Sequence, residues 1–323
     1  MSRRGWVMFA AMSVIWGLPY LLIKVAVGGV SVPVLVLARV SVGMLLLLPI
    51  ALRRREFAAL KPVWHWVALF ALVEIILPWF VLAEAERGIS SSLAGLLIAS
   101  VPIILAVLGL LIRSGERLGL VRWAGLLIGL GGVVLLAGPN LVGSSATGST
   151  ARSVAEVLFV ALCYAIGPLI LNSKLAGLPP VGMTTACFGL AAVVYAPLAA
   201  LSWPSAVPSA GVLTSIAALA VVCTAVAFWI FFQLITEVGP ARASVITYVN
   251  PAIAVALGML VLSERVTAIM LAAFATILLG SVLATRPARQ AVPAGPADAT
   301  ELVPAQVQVP ACATATSPAA DVP

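Results

Sequence analysis

Long runs of apolar residues, separated by short polar connectors, dominate the chain from its amino terminus to about residue 285. Each run is close to the roughly 20 residues that an α-helix needs to cross the hydrocarbon core of a bilayer. The pattern therefore predicts an all-α membrane protein with about ten transmembrane helices. The predicted helices cover residues 5–27, 31–52, 63–83, 89–112, 120–138, 153–173, 179–201, 211–234, 240–262 and 267–285.

Composition supports a lipid environment. Hydrophobic residues make up 63% of the chain and charged residues 9%, and the mean hydropathy is +1.18. A soluble domain with so little charge would expose large apolar patches and aggregate. The formal net charge is +7, but the basic residues punctuate apolar runs. The expected partner is therefore the surface of a lipid bilayer and not a nucleic acid.

The basic residues also predict an orientation. With a cytoplasmic amino terminus, 13 of the 18 Lys and Arg residues fall on the cytoplasmic side, four fall outside, and Arg39 lies within a span. Cytoplasmic loops carry such an excess of positive charge. The count predicts that both termini are cytoplasmic, in a multi-pass protein of a bacterial-type inner membrane. Residues 286–323 are rich in Ala, Pro, Val and Thr, which predicts a disordered cytoplasmic tail.

An internal repeat divides the apolar region into two halves. Glu116-Arg117 is matched by Glu264-Arg265, and the same offset carries Gly132 onto Gly280. Each half has five predicted spans, an odd number, so the two copies must face opposite sides of the bilayer. The predicted organisation is a first five-helix repeat at 5–138, a linker at 139–152 and a second five-helix repeat at 153–285. Inverted repeats of this kind place a substrate site near the midplane, between the halves.

The halves resemble tandem EamA domains of the drug/metabolite transporter superfamily. The first span carries Ile15-Trp16-Gly17-Leu18-Pro19-Tyr20 followed by Lys24, and the second span carries Arg39. Both halves have a proline-containing span, a Glu-Arg pair and a glycine-rich last span, although the second half lacks a clear Trp-Gly opening. The resemblance covers residues 5–285. It implies a ten-helix 5+5 inverted-repeat fold and the export or exchange of small metabolites, amino acids or drug-like compounds without ATP.

Several chemistries lack the residues they need. No Gly-x-x-x-x-Gly-Lys-Ser/Thr sequence is present to hold nucleotide phosphates. His65 is the sole histidine, Asp298 and Asp321 both lie in the tail, and the four cysteines follow no metal or disulfide spacing. We therefore expect no cofactor, no metal and no enzymatic activity.

Ionisable residues inside the spans are candidates for a coupling site, because each costs about 2.5–3.5 kcal/mol at the bilayer centre on insertion scales. Glu74 in the third span and Arg39 in the second lie at matching depth, so the two charges could pair. The pair either holds the helices together or exchanges partners as Glu74 binds a proton or a substrate amine. Lys24 lies near a span end, where it either snorkels to water or lines the substrate path. The acidic and basic residues at span ends are expected to be solvated or to cap helices: Glu84, Glu86, Arg87, Glu116, Glu237 and Glu264.

Mid-span prolines indicate a second group of candidates. Proline leaves a backbone carbonyl unpaired, and lipid cannot satisfy that carbonyl. Pro102 and Pro251 either flank the cavity or only kink their helices. Neighbouring polar side chains and aromatic residues could bind an apolar or cationic substrate: Ser100, Tyr248, Asn250, Trp16, Trp79, Tyr164 and Trp229.

The leading hypothesis is a secondary transporter of small organic molecules, proton-coupled or facilitative, whose partner is a small-molecule substrate. An importer or exchanger of sugars or nucleotide sugars is the alternative within transport. A membrane-embedded enzyme, a non-transporting receptor and a lipid flippase remain as other classes. Self-association into a homodimer is left open.

Overall fold

A computed structural model describes residues 2–112, 119–142, 148–239, 243 and 245–285. Within these residues every regular element is helical, and the helices form ten segments that follow the predicted apolar runs. The segments are α1 (Arg3–Ile15 and Leu18–Ala26), α2 (Val32–Arg53), α3 (Glu56–Gly88), α4 (Ser91–Ile98 and Val101–Ile112), α5 (Leu120–Val142), α6 (Gly148–Lys174), α7 (Pro180–Leu201), α8 (Ala210–Val238), α9 (Ile246–Leu262) and α10 (Ala268–Ala284).

Eight of these segments, α1 to α8, contain stretches long and apolar enough to cross a membrane. The helices α9 and α10 are also apolar but have 17 residues each, about 25 Å of helix, which is at the lower limit for a span. The all-α membrane fold is confirmed, while the number of ten spans stays a prediction. Glu116-Arg117, residues 143–147 of the predicted linker and the predicted tail at 286–323 lie outside the described residues.

Four of the segments depart from regular α-helix inside their length. The α1 segment is interrupted at Trp16-Gly17, just before Pro19, and α4 is interrupted before Pro102. Both breaks follow from proline, which removes a backbone donor and clashes with the preceding turn. The segments α3 and α8 instead each contain one π-helical turn, Leu72–Ile76 and Val221–Val226. Turns of this kind are common at functional sites.

Helix packing brings distant parts of the chain together. The most extensive contacts join α5 to α10 and α2 to α7, and α9 packs on the first part of α4. The second part of α3 packs on α6, and α1 packs along α8. As a result the π turn of α3 contacts α6 and α7, and the π turn of α8 contacts α2. These regions carry the candidate site.

The interface of α5 with α10 depends on glycine. A Cβ added at Gly280 would lie 2.7 Å from the carbonyl oxygen of Gly125 and would overlap the backbone of Gly129. Small residues let membrane helices approach closely enough for backbone atoms to touch. The glycine-rich last span of each half therefore serves to pack α5 directly against α10.

Candidate functional site

Arg39, near the middle of α2, joins three helices. Its Nε donates a hydrogen bond to Thr224 Oγ1 in α8 at 2.9 Å. Its guanidinium carbon lies 3.6 Å from the ring centroid of Trp79 in α3. A guanidinium over an indole face is attracted by the ring quadrupole, most strongly where water is excluded. Trp79 is 7% exposed and Thr224 is fully buried, so the partly buried Arg39 joins buried side chains from the two halves of the chain.

Glu74 lies in the π turn of α3. Its Oε2 is buried and has no hydrogen-bond partner among the described atoms. The carboxylate packs against Gly167 of α6, where an added Cβ would overlap Oε2 and lie 3.0 Å from Cδ. Glycine at position 167 therefore provides the space for a carboxyl group whose oxygen lacks a partner. Such a group is costly to bury and is rarely kept without a function.

The pairing of Glu74 with Arg39 suggested by the sequence is not present among the described ion pairs. Arg39 uses its Nε on Thr224 and its flat face on Trp79, both of which come from other helices. Matching depth along two spans does not determine which neighbouring helices the two side chains face. The two residues nonetheless belong to one neighbourhood, since Tyr164 of α6 interacts electrostatically with both.

Thr224 is a site residue that the sequence analysis missed. It lies in the π turn of α8, and its hydroxyl donates to the carbonyl oxygen of Leu219 at 2.8 Å while accepting from Arg39. A threonine in an apolar run gives no signal by itself. Its signal is its place in the repeat, because the two π turns put Thr224 in α8 where α3 has Glu74.

Two of the predicted aromatic residues are connected through residues that the sequence did not single out. The Trp79 ring lies 5.8 Å from Phe188, which lies 5.6 Å from Phe228. Phe228 in turn lies 6.1 Å from Trp16. Trp16 and Trp79 thus lie at the two ends of one continuous series of aromatic rings between the halves. Trp229 is 51% exposed, and its role in binding a substrate stays a prediction.

The residues beside the two mid-span prolines bond to backbone. The fully buried Ser100 donates to the carbonyl oxygen of Leu97, in its own helix, at 2.7 Å. With its amide oriented to satisfy its surroundings, Asn250 donates to the carbonyl oxygens of Ile246 and Ser13 at 3.0 and 3.1 Å. The second bond ties α9 to α1. Pro251 is buried, and Pro102 and Tyr248 are partly buried, so a role in the cavity stays a prediction for this group.

Lys24 bonds to the backbone of another helix. Its Nζ donates to the backbone carbonyl oxygens of Glu86 at 2.5 Å and Ile89 at 2.7 Å, at the carboxyl end of α3. The Glu86 side chain itself is fully buried, and neither carboxylate oxygen has a hydrogen-bond partner among the described atoms. The expectation that Glu86 is solvated is therefore wrong, because helix packing covers the end of α3.

Glu264, in the loop between α9 and α10, caps a helix from another half. Its carboxylate accepts hydrogen bonds from the backbone N–H and the hydroxyl of both Ser91 and Ser92, at 2.5–2.9 Å. These donors form the amino terminus of α4, which favours negative charge. Burial alone would raise the pKa of Glu264, but the four hydrogen bonds outweigh it and lower the pKa.

The described residues hold no group of three or more His, Cys, Asp or Glu side chains placed to bind a metal ion. Cys163, Cys187 and Cys223 are buried free thiols. The polar groups at the centre of the molecule are therefore Arg39, Glu74, Thr224 and the neighbouring tyrosines. Charge pairing and hydrogen bonding are the interactions that they offer to a ligand.

Comparison with known proteins gives one consistent result. The family model described as "EamA-like transporter family" matches the chain twice, at residues 3–138 and 153–286. The protein YedA of Escherichia coli K12, named as an inner membrane transporter, is 28% identical over 283 residues, which is 85% of this chain and 88% of YedA. The transporter sll0355 of Synechocystis is 28% identical over 221 residues, covering 64% of this chain and 66% of its own. One solved crystal structure has the same fold, with a TM-score of 0.60 and 20% identity over 88% of this chain and 97% of that one.

Proposed function

Because this chain belongs to the EamA-like transporter family, we propose that it is a secondary transporter that exports or exchanges small organic molecules across a bacterial inner membrane. That it is a membrane transporter follows from the family. The location is supported by YedA, an inner membrane transporter aligned over most of both chains. Metabolites, amino acids and drug-like compounds are the substrate classes proposed.

The proposed architecture is ten spans in a 5+5 inverted repeat with both termini cytoplasmic. Two matches of one family model support the repeat, as do the π turns at corresponding places in α3 and α8. Helix packing supports a two-fold relation between the halves. In the repeat, α3 corresponds to α8 and α6 corresponds to α1. The contact of α3 with α6 therefore corresponds to the contact of α8 with α1, and both contacts are present. The distribution of basic residues supports the orientation.

The proposed substrate and coupling site is the group formed by Arg39, Glu74, Trp79, Tyr164 and Thr224. One observation carries this proposal: Glu74 has a buried carboxylate oxygen with no hydrogen-bond partner among the described residues, in the same neighbourhood as the partly buried Arg39. Glu74 would bind a proton or the amine of a substrate. The aromatic series from Trp79 to Trp16 would contact an apolar or cationic portion of the substrate.

A transport assay with purified protein in proteoliposomes tests the proposal. A panel of amines, amino acids and sugars is loaded inside, and release is followed with and without an imposed pH gradient. We expect the wild type to move at least one amine or amino acid faster in the gradient and Glu74→Gln to lose that acceleration. Glu84→Gln, on the same helix, is the matched control and should behave as wild type.

Three results would contradict the proposal. Transport by Glu74→Gln that still follows the pH gradient at the wild-type rate would remove Glu74 from coupling. The movement of sugars alone would favour the sugar transporter instead, and the absence of any solute movement would favour a receptor or a lipid flippase.

A further inference from the structure

One end of the molecule is closed by two charged side chains that act on the same corner of the fold. The corner joins the carboxyl end of α3 to the amino end of α4. Lys24 donates to carbonyl oxygens at the end of α3, and Glu264 accepts from the donors that begin α4. A cation at a helix carboxyl terminus and an anion at a helix amino terminus both complement the helix dipole. We refer to Lys24, Glu264 and this corner as the Lys24 lock.

The Lys24 lock also covers buried residues at this end of the molecule. Glu86, in the last turn of α3, is fully buried beneath it. Gly258 of α9 packs so closely on the start of α4 that an added Cβ would overlap Ser92 Oγ and lie 2.5 Å from Glu264 Oε2. Helix α1 therefore closes on α3, and α9 closes on α4.

The corresponding residues of the second half are in a different environment. Lys174 matches Lys24 in the repeat, yet it is exposed, and its Nζ lies 5.1 Å from the ring centroid of Trp66. Glu237 matches Glu86, yet it is exposed and accepts a hydrogen bond from Ser2. Glu116 and residues 240–242, which match Glu264 and the start of α4, lie outside the described residues.

The matched residues of the repeat are thus present in two environments: Lys24 is bonded and Glu86 is buried, whereas Lys174 and Glu237 are exposed. In an inverted repeat, exchanging the conformations of the halves gives the state that opens toward the other side of the membrane. We propose that the Lys24 lock is one of two alternating gates, and that Lys174 closes the second gate by bonding to the carboxyl end of α8 when Lys24 releases α3. The inference rests on the inverted repeat of the proposed function.

Cysteine reactivity tests the two gates without any knowledge of the substrate. Glu86→Cys and Glu237→Cys serve as separate reporters in a Cys312→Ser background, since Cys163, Cys187 and Cys223 are buried. The Glu86 side chain takes no part in the hydrogen bonds of the lock, which use its backbone carbonyl. Protein in lipid nanodiscs is exposed to a hydrophilic thiol reagent, which reaches both faces, and labelling rates are compared.

Lys24→Met should open the closed end. Hydrogen bonds to a charged group are strong enough to shift a two-state equilibrium about tenfold. We therefore expect labelling at Glu86→Cys to rise about tenfold and labelling at Glu237→Cys to fall. Lys174→Met removes the lock of the other state, so it should leave Glu86→Cys protected and Glu237→Cys reactive. Lys24→Arg, which keeps a donor of the same charge, should resemble the unmodified lock.

The outcomes separate the gates from the transport proposal. If Lys24→Met lowers thermal stability but leaves both labelling rates unchanged, Lys24 only caps α3 and the gate proposal is overturned. Equal shifts with Lys24→Met and Lys174→Met would overturn it as well, because reciprocal gates require different responses. Reciprocal labelling in a protein that moves no tested solute would support the gates and contradict the proposed transport.

Discussion

At the scale of single residues, the central site shows how a membrane interior accommodates charge. Arg39 has a hydrogen-bond acceptor in Thr224 and a ring face in Trp79, so its charge is stabilised by two other helices. Glu74 has a glycine beside it instead of a donor. The arginine is therefore compensated within the protein, while the glutamate has unused capacity to bind a proton or a cation.

Gly167→Ala tests whether the position of Glu74 matters. The added methyl group would overlap the carboxylate, so the Glu74 side chain must move. We expect coupled transport to fall at least about tenfold, a change of about 1.4 kcal/mol, measured in the proteoliposome assay. Gly189→Ala is the control, because its Cβ would meet only Met44 Sδ at an ordinary 3.5 Å.

A double variant sharpens this prediction. In a Glu74→Ala background no carboxylate remains to clash, so Gly167→Ala should have little further effect on transport. If the two changes were additive instead, the glycine would act independently of Glu74 and the prediction would be wrong.

The sequence identified Arg39 and Glu74 because charges inside apolar runs are conspicuous. It did not identify their partners. Thr224, Phe188 and Phe228 are ordinary members of apolar helices, and only the packing of α7 and α8 against α2 and α3 brings them to the site. The burial of Glu86 was missed for the same reason, since a residue near a predicted span end is assumed to reach water.

At the scale of helices, the π turns of α3 and α8 determine which side chains face the centre. A π turn inserts one residue into a helical turn and leaves its carbonyl groups partly unpaired. Hydroxyl groups contact both turns here: Tyr195 donates to the carbonyl oxygen of Ile76 at 2.5 Å, and Thr224 donates to that of Leu219 at 2.8 Å. These bonds stabilise the turns that present Glu74 and Thr224.

Thr224→Val should weaken both the α8 turn and the position of Arg39. Valine has nearly the same shape but neither donates to Leu219 nor accepts from Arg39. We expect the free energy of unfolding to fall by about 1–3 kcal/mol, measured as a lower thermal midpoint in detergent. Thr224→Ser keeps both bonds and loses one methyl group, about 0.8 kcal/mol. Equal midpoints for the valine and serine variants would contradict a role for the hydroxyl.

The cap that Glu264 provides for α4 should make stability depend on pH. Its folded-state pKa is lowered by the bonds from Ser91 and Ser92, below the roughly 4.3 of an unfolded glutamate. The stabilisation is therefore complete above about pH 4.3 and is lost as the pH falls through the folded pKa. The thermal midpoint of the wild type should exceed that of Glu264→Gln at pH 7, and the gap should narrow toward pH 3.5.

Glu84→Gln controls for the loss of a carboxylate elsewhere on the surface. A gap between wild type and Glu264→Gln that stayed constant over the pH range would show that the carboxylate charge does not stabilise the cap.

The positions of the helices could be read from the sequence, since apolar runs of the length of a span have few other structures available in lipid. The interruption in α1 was not predicted, although Gly17 and Pro19 mark it, because hydropathy is continuous across it. The sequence contains no comparable signal for the π turns. They depend on hydrogen-bond register, which follows from packing against neighbouring helices.

At the scale of the whole molecule, the most extensive contacts between the halves are made by two helix pairs that the repeat maps onto themselves, α5 with α10 and α2 with α7, and a third such pair, α4 with α9, also packs together. The pair α5 and α10 has the closest backbone approach, at Gly280 and Gly129. It joins the last helices of the two halves and lies away from Arg39 and Glu74. We infer that this pair holds the halves together while other contacts change.

Gly280→Ala tests this role of α5 and α10. The added methyl group would meet backbone atoms of Gly125 and Gly129, and backbone cannot rotate away as a side chain can, so the helices must separate. Overpacking of this kind costs about 1–3 kcal/mol, and we expect a clearly lower thermal midpoint in detergent. Gly131→Ala, also in this pair of helices, is the matched control: no described atom lies within 4 Å of its Cβ, and alanine favours helix by up to about 1 kcal/mol. If both variants had the same thermal midpoint, the close approach of α5 and α10 would not be what holds the two halves together. If Gly280→Ala melted early but transported at the wild-type rate at low temperature, the contact would stabilise the fold without guiding its motion.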